Sequence, residues 1–120
     1  MTNIRVLVVE DEALLAIDIA QQLTDAGFGV VGPATSVAKA LRLIAEEGCD
    51  VAVLDFNLRS ETAEPIAHEL RARGTSFIFL SGVPRERLPA SIGDAVLLPK
   101  PAHSATLVAA LHQSINPDPK

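Results

Sequence analysis

With 120 residues, 48% of them hydrophobic and 21% charged, the chain has the size and composition of one domain that buries its own core. A net charge of −5 and the lack of Trp and Tyr argue against nucleic-acid partners, which need basic surfaces or aromatic stacking platforms. The single cysteine, Cys49, excludes an internal disulfide, and no apolar run reaches membrane length, so we expect a cytoplasmic protein without a membrane partner.

The chain opens with a predicted strand and a predicted helix. Residues 4–9 form a compact run rich in β-branched residues, as in a strand that is covered on both faces. Helical spacing begins at Leu14, and Gly27 is the predicted left-handed stop. The apolar stripe of this helix is Leu15, Ile19 and Leu23. Residues 28–31 then predict a second strand.

A second helix and a third strand follow in the same alternation. Ser36 is the predicted N-cap of this helix, and Gly48 is its predicted end. The apolar stripe is Val37, Ala40, Leu41, Ile44 and Ala45. Residues 51–54 predict the third strand, which ends on Asp55.

The next elements repeat the pattern. A helix is predicted over 63–73, with Thr62 as its cap and Gly74 as its stop. Residues 77–80 and 95–98 predict the fourth and fifth strands.

The end of the chain is less regular. Between the last two strands, Pro84 could begin a helix, but Pro89 limits it to one or two turns. Ser104 is the predicted cap of a final helix. The stripe of that helix is Leu107, Leu111 and Ile115. Residues 116–120 read as a tail.

Five strand–helix repeats predict one fold. Strands that alternate with helices through short loops form a parallel sheet with helices on both faces. At this length the pattern favours a single domain over 1–120 with a flavodoxin-like, doubly wound α/β architecture. We expect five strands in the order 2-1-3-4-5 and five helices, of which the fourth is short or broken. In that order a ligand binds outside the carboxyl ends of strands one and three.

Acidic residues gather at this predicted edge. They are Glu10, Asp11 and Glu12 after strand one and Asp55 at the end of strand three. Crowded carboxylates need a cation, and an all-oxygen ligand set suits Mg²⁺ or Mn²⁺. Ser81 ends strand four, and Lys100 follows strand five, so a hydroxyl and an ammonium should reach the same edge.

The combination of these residues resembles the receiver domain of bacterial two-component response regulators. The likeness consists of the acidic pair, the Asp and the Ser that end strands three and four, and the Lys-Pro after strand five, and it spans about residues 4–116. It implies the CheY-like form of the fold and a cytoplasmic phosphoprotein in phosphorelay signalling. Such a protein is not an enzyme beyond its own phosphorylation and autodephosphorylation.

The resemblance also implies roles for individual residues. Asp55 would accept a phosphoryl group from the phosphohistidine of a sensor histidine kinase or a histidine phosphotransfer protein. Ser81 and Lys100 would contact phosphoryl oxygens, and the Lys100–Pro101 peptide would be cis. The implied Mg²⁺ ligands are Glu10, Asp11, Asp55 and the backbone carbonyl of Asn57.

Several positions depart from the common receiver pattern. Leu97 stands where most receivers carry an aromatic switch residue, and the segment after strand four is interrupted by proline. The stretches "LDFNL", "EPIAHELRARG" and "SFIFLSGVP" resemble a receiver subgroup that is common in alphaproteobacteria and is named FAT GUY after its strand-four motif. Phosphorylation and a different output route, through an unknown output protein, are then both expected.

Other interpretations stay open at the level of sequence. A pseudo-receiver would keep the fold as an interaction module without phosphorylation. A hydrolase of the haloacid dehalogenase type would need an aspartate where Asn57 stands. Single residues also have a structural interpretation in place of the functional one. Glu12 could begin a helix, Ser81 could form a turn, and Lys100 could be a solvated lysine at a strand end. The three histidines fit surface positions.

Overall fold

The computed structural model describes residues 4–115, so the predicted tail at 116–120 lies outside the described residues. The strands in chain order are β1 (Arg5–Val9), β2 (Gly29–Ala34), β3 (Val51–Asp55), β4 (Asn57–Leu58), β5 (Glu61–Thr62), β6 (Ser76–Ser81) and β7 (Val96–Pro99). Five of them form one parallel sheet in the order β2-β1-β3-β6-β7. This is the predicted order 2-1-3-4-5. The short strands β4 and β5 form a separate antiparallel hairpin.

The helices are α1 (Ala13–Asp25), α2 (Val37–Glu46), α3 (Glu64–Ala72) and α4 (Ser104–Ile115). Side chains of α1 and α4 pack on one face of the sheet, and those of α2 and α3 pack on the other. The predicted doubly wound architecture is therefore confirmed. Within residues 4–115, no helix is long and apolar enough to cross a membrane.

The central strands supply both halves of the core. Successive side chains of a strand point to opposite faces of the sheet. In β3, Ala52 and Leu54 accordingly pack toward α2 and α3, whereas Val51 and Val53 pack toward α1 and α4. All four are fully buried. A strand that is covered on both faces needs apolar residues at every position, and for this reason the strand predictions at β1 and β3 are the most accurate.

The ends of the helices follow the sequence predictions in part. Oγ of Ser36 accepts a hydrogen bond from the Lys39 N–H at 3.2 Å, so the predicted cap of α2 is confirmed. The predicted caps of α3 and α4 are wrong. Ala63 holds the cap position of α3, and Thr62 accepts only a long 3.4 Å bond from the Glu64 N–H. Ser104 is already the first residue of α4.

The proline-containing segment between β6 and β7 has two 3₁₀ turns, Arg85–Arg87 and Ala90–Ile92. The prediction of at most one or two helical turns is confirmed. Arg85 fixes this segment, because its guanidinium donates to the carbonyls of Gly93 and Ala95 at 2.9 and 2.7 Å. Five helices were predicted. The described residues contain four α-helices, and two 3₁₀ turns replace the predicted fourth helix.

Candidate functional site

The carboxyl ends of the parallel strands bring three charged side chains to one edge of the sheet. Glu10 directly follows β1, Asp55 is the last residue of β3, and Lys100 directly follows β7. The backbone holds these positions, since the Phe56 N–H donates to the Leu80 carbonyl and the Lys100 N–H donates to the Ser81 carbonyl. Residues that are far apart in sequence therefore meet at the switch point between β1 and β3.

Asp55 is the centre of this group. It is only 3% exposed, and its Oδ2 lies 3.2 Å from Nζ of Lys100. Burial, together with the neighbouring Glu10 carboxylate, raises the pKa of Asp55 to about 7, and the Lys100 ammonium opposes this rise only in part. A carboxyl group with this pKa is poised between its neutral and ionised forms near neutral pH.

Lys100 bridges two buried acids. Its Nζ also lies 3.2 Å from Oε1 of Glu10. Burial lowers the pKa of Lys100, but the carboxylates of Asp55 and Glu10 raise it more, and the net pKa is above the ordinary lysine value. The ammonium is therefore charged at neutral pH. The Lys100–Pro101 peptide is cis, as the resemblance implied.

Three carboxylates lie close enough to share one cation. One oxygen each from Glu10, Asp11 and Asp55 lies within 4.8 Å of the others. Oε1 of Glu10 is buried and has no aligned hydrogen-bond donor, although Lys100 Nζ is near. An all-carboxylate ligand set suits a hard divalent cation such as Mg²⁺, so the residues present fit this metal.

Ser81 reaches the same edge but turns its hydroxyl to the backbone. It is 2% exposed, donates to the Val83 carbonyl at 2.9 Å and accepts from the Val83 N–H at 3.1 Å. The hydroxyl closes the turn after β6, which is the structural role considered for it above. Donation to another group would require the bond from this hydroxyl to the Val83 carbonyl to open.

The remaining predicted residues are Asn57, Glu12 and Leu97. Asn57 begins β4 and is exposed, and its backbone pairs with Thr62 in the hairpin. Glu12 occupies the cap position of α1, where its carbonyl accepts from the Ala16 N–H. Glu12 thus begins the helix, as its structural interpretation predicted. Leu97 is half-buried against the core that faces α2 and α3.

One residue at the site was missed by sequence reasoning. Nε of Arg59 donates to Oδ2 of Asp11 at 3.1 Å. Arg59 lies in the turn between β4 and β5, and an arginine in a polar turn carries no sequence signal of its own. Only the position of the hairpin beside β1 reveals the contact.

A doubly wound sheet with three carboxylates and a lysine at its switch point defines the class of protein as a receiver-type signalling domain. Comparison with protein families agrees: the response regulator receiver domain matches residues 6–112. The chain therefore belongs to the receiver domain family of response regulators. Receiver domains generally bind Mg²⁺, and the cluster of Glu10, Asp11 and Asp55 could hold such an ion.

Individual relatives support this assignment. A response regulator receiver protein from Sinorhizobium medicae WSM419 has a TM-score of 0.84 and 30% identity, with 96% of each chain covered. SdrG from Sphingomonas melonis Fr1 has a TM-score of 0.79 and 34% identity, with 92% of this chain and 96% of SdrG covered. The transcriptional regulatory protein PdtaR of Mycobacterium tuberculosis is 26% identical over 116 residues. That match covers 93% of this chain and 57% of PdtaR, so the chain spans little more than half of this relative.

Proposed function

We propose that this receiver domain accepts a phosphoryl group on Asp55 from the phosphohistidine of a sensor histidine kinase or a histidine phosphotransfer protein. One observation carries the proposal: the buried Asp55 carboxylate contacts the Lys100 ammonium and has one oxygen within 4.8 Å of oxygens of Glu10 and Asp11. A nucleophilic carboxylate that has both an ammonium and a metal-binding acid cluster beside it is the arrangement that phosphoryl transfer requires.

The transfer exchanges one bond for another. An oxygen of ionised Asp55 attacks phosphorus in line, the P–N bond of the phosphohistidine breaks as the P–O bond forms, and the histidine nitrogen keeps the electron pair. Mg²⁺, held by Glu10, Asp11, Asp55 and the Asn57 carbonyl, would supply positive charge to the phosphoryl oxygens. Lys100 would exchange its contact with Asp55 for a phosphoryl oxygen, and Ser81 would turn from Val83 to donate to another.

The output of the domain would be a protein–protein interaction. We propose a cytoplasmic single domain over residues 1–120 that acts on a protein partner and on neither nucleic acid nor membrane. The net charge of −5 supports this choice of partner class. Leu97, in place of an aromatic switch residue, supports an output route that does not depend on the rotation of a ring.

Beryllofluoride, a phosphoryl mimic, tests the acceptor. With Mg²⁺ present, we expect it to shift the amide resonances around Asp55, Ser81 and Lys100 in the ¹⁵N-labelled protein. Asp55→Asn is the matched control, because it keeps the size of the side chain and removes the nucleophile. Equal shifts in both proteins, or none in the wild type, would overturn the proposal.

A second candidate function is a pseudo-receiver that binds partners without being phosphorylated. It is favoured by the internal contacts of two site groups, since Asp11 pairs with Arg59 and Ser81 is closed on Val83. A phosphotransfer assay separates the two functions. A pseudo-receiver stays unlabelled by the phosphorylated cognate kinase in Mg²⁺, whereas a phosphoacceptor is labelled and Asp55→Asn is not.

A further inference from the structure

Each acid of the metal cluster already has a cationic partner within the chain. Lys100 lies 3.2 Å from both Glu10 and Asp55. Asp11 is the third acid, and its Oδ2 accepts a 3.1 Å hydrogen bond from Nε of Arg59. The side chain of Asp11 is 16% exposed and that of Arg59 is 77% exposed, so the pair lies at the mouth of the site. A metal ion that bound Asp11 would meet a carboxylate whose charge is already partly neutralised.

The hairpin that carries Arg59 is anchored on its far side. The carboxylate of Glu61 accepts from the Val37 N–H at the start of α2, at 3.1 Å. The hydroxyl of Thr62 donates to Glu64 at the start of α3, at 3.1 Å. These contacts fix the hairpin against α2 and α3 and leave the turn, with Arg59, beside the acids.

The backbone of Arg59 supports a specific role for this side chain. Its φ of 55° lies in the left-handed region, where a residue with a Cβ is strained and glycine is favoured. It is the only non-glycine residue with positive φ among residues 4–115. In this backbone conformation the side chain of Arg59 reaches Asp11.

We infer that Arg59 competes with Mg²⁺ for Asp11, so that it weakens metal binding and is released from Asp11 when the metal binds. This inference rests on one part of the proposed function, the binding of Mg²⁺ by the acid cluster. It does not depend on phosphoryl transfer to Asp55. A guanidinium and Mg²⁺ seek the same carboxylate oxygens, and they cannot both neutralise Asp11 fully. Removal of Arg59 should therefore tighten Mg²⁺ binding, although it removes a contact from the folded protein.

The test is a Mg²⁺ titration of the full ¹⁵N-labelled chain, followed by amide shifts. Arg59→Gly removes the cation, suits the positive φ and adds no oxygen ligand; we expect it to tighten Mg²⁺ binding about two- to fivefold, the range for one partly exposed ion pair. Arg59→Lys keeps the charge and should bind Mg²⁺ within about twofold of wild type. Arg42→Gln is the control for net charge, because Arg42 is exposed on α2 and has no ion pair among residues 4–115. It should leave the affinity unchanged.

A second measurement follows the arginine directly. The Nε–Hε resonance of Arg59, assigned by its loss in Arg59→Gly, should shift as Mg²⁺ saturates the wild-type protein. The inference is overturned by any of three results: unchanged or weaker Mg²⁺ binding in Arg59→Gly, equal tightening in Arg42→Gln, or an Arg59 Nε–Hε resonance that Mg²⁺ does not move. A wild-type protein that binds no Mg²⁺ overturns it as well.

The same samples separate this inference from phosphorylation. If Arg59→Gly tightens Mg²⁺ binding while beryllofluoride leaves the spectra unchanged, the role of Arg59 holds and the phosphoacceptor proposal fails. If beryllofluoride binds through Asp55 while Arg59→Gly leaves Mg²⁺ affinity unchanged, the phosphoacceptor holds and the role of Arg59 fails.

Discussion

At the scale of single residues, the site is governed by burial of charge. Asp55 and Glu10 are both almost fully removed from water, and one ammonium, that of Lys100, contacts both. Burial of Asp55, and next the nearby Glu10 carboxylate, raise the pKa of Asp55 to about 7, and the single ammonium opposes this rise only in part. A metal ion would remove the conflict by neutralising the second charge.

This conflict predicts the pH dependence of folding in the metal-free protein. The pKa of Asp55 is about 7 in the folded state against 3.8 for the free group, so the folded state binds more protons between these values. The free energy of unfolding should therefore fall as pH rises from about 4 to 7. Denaturant unfolding in a chelator at pH 5 and pH 8 should show a loss on the order of 2 kcal/mol.

Asp55→Asn is the matched control for this pH dependence. The amide does not titrate, so the variant should lose less stability than the wild type over the same pH interval. It should also be the more stable protein at pH 8. Parallel stability curves for the two proteins would show that Asp55 does not retain its proton in the folded state.

At the scale of elements, two glycines with positive φ, Gly32 in β2 and Gly27 after α1, differ in the space around them. Gly32 in β2 has a φ of 96°, and a Cβ built there would lie 2.8 Å from the Ala34 nitrogen and 3.3 Å from the Val8 carbonyl oxygen. Gly27, after α1, has nearly the same φ of 97° but has no atom within 4 Å of such a Cβ. The two positions share backbone strain and differ only in contact with neighbours.

The pair allows strain and steric contact to be separated. Gly27→Ala should cost about 1 kcal/mol of unfolding free energy, the price of a left-handed residue with a side chain. Gly32→Ala should cost about 1–3 kcal/mol more, because backbone atoms of β1 and β2 must also move. Urea unfolding of both variants checks this order. Equal losses would mean that the sheet moves at Gly32 without cost.

At the scale of the whole molecule, the sheet divides the core into two independent halves. One half lies between the sheet and the helices α2 and α3, and the other lies between the sheet and α1 and α4. Ile44 belongs to the first half and Ile19 to the second, and both are buried. The acidic site lies at the edge where the strands of the sheet end. Because each strand packs on both halves of the core, the geometry of the site depends on both halves.

The division predicts additive losses of stability. Ile19→Val and Ile44→Val should each cost about 0.5–1.5 kcal/mol, and the double variant should cost their sum within about 0.5 kcal/mol, because the sheet separates the two sites. Ile17→Val is the matched surface control, since Ile17 is 60% exposed on the same helix as Ile19. It should change stability by less than about 0.5 kcal/mol. A double variant far from the sum would indicate coupling through the sheet.

The sequence by itself determined the order of the five sheet strands and of the helices α1 to α4, the doubly wound fold and the acids at the carboxyl edge, but it did not predict the β4–β5 hairpin. Periodicity carries this information, because a strand such as β3 that is covered on both faces must be apolar throughout and a parallel sheet has one edge for all its strand ends. The short helical turns before β7 were predictable from a local signal, because Pro89 limits any helix that begins at Pro84. The caps of α3 and α4 were not, because the backbone decides where each helix begins: Ala63 holds the cap position of α3, and Ser104 already lies inside α4.

Only the tertiary structure decided how the site groups are partnered. Lys100 could have faced solvent, and instead it bridges Glu10 and Asp55. Ser81 turned its hydroxyl to Val83, and Arg59 came to Asp11 from a hairpin with no sequence signal. These pairings depend on distances of a few ångströms between residues far apart in the chain. Periodicity specifies which face or edge a residue reaches, but the partner of a charge is selected by the packed geometry around it.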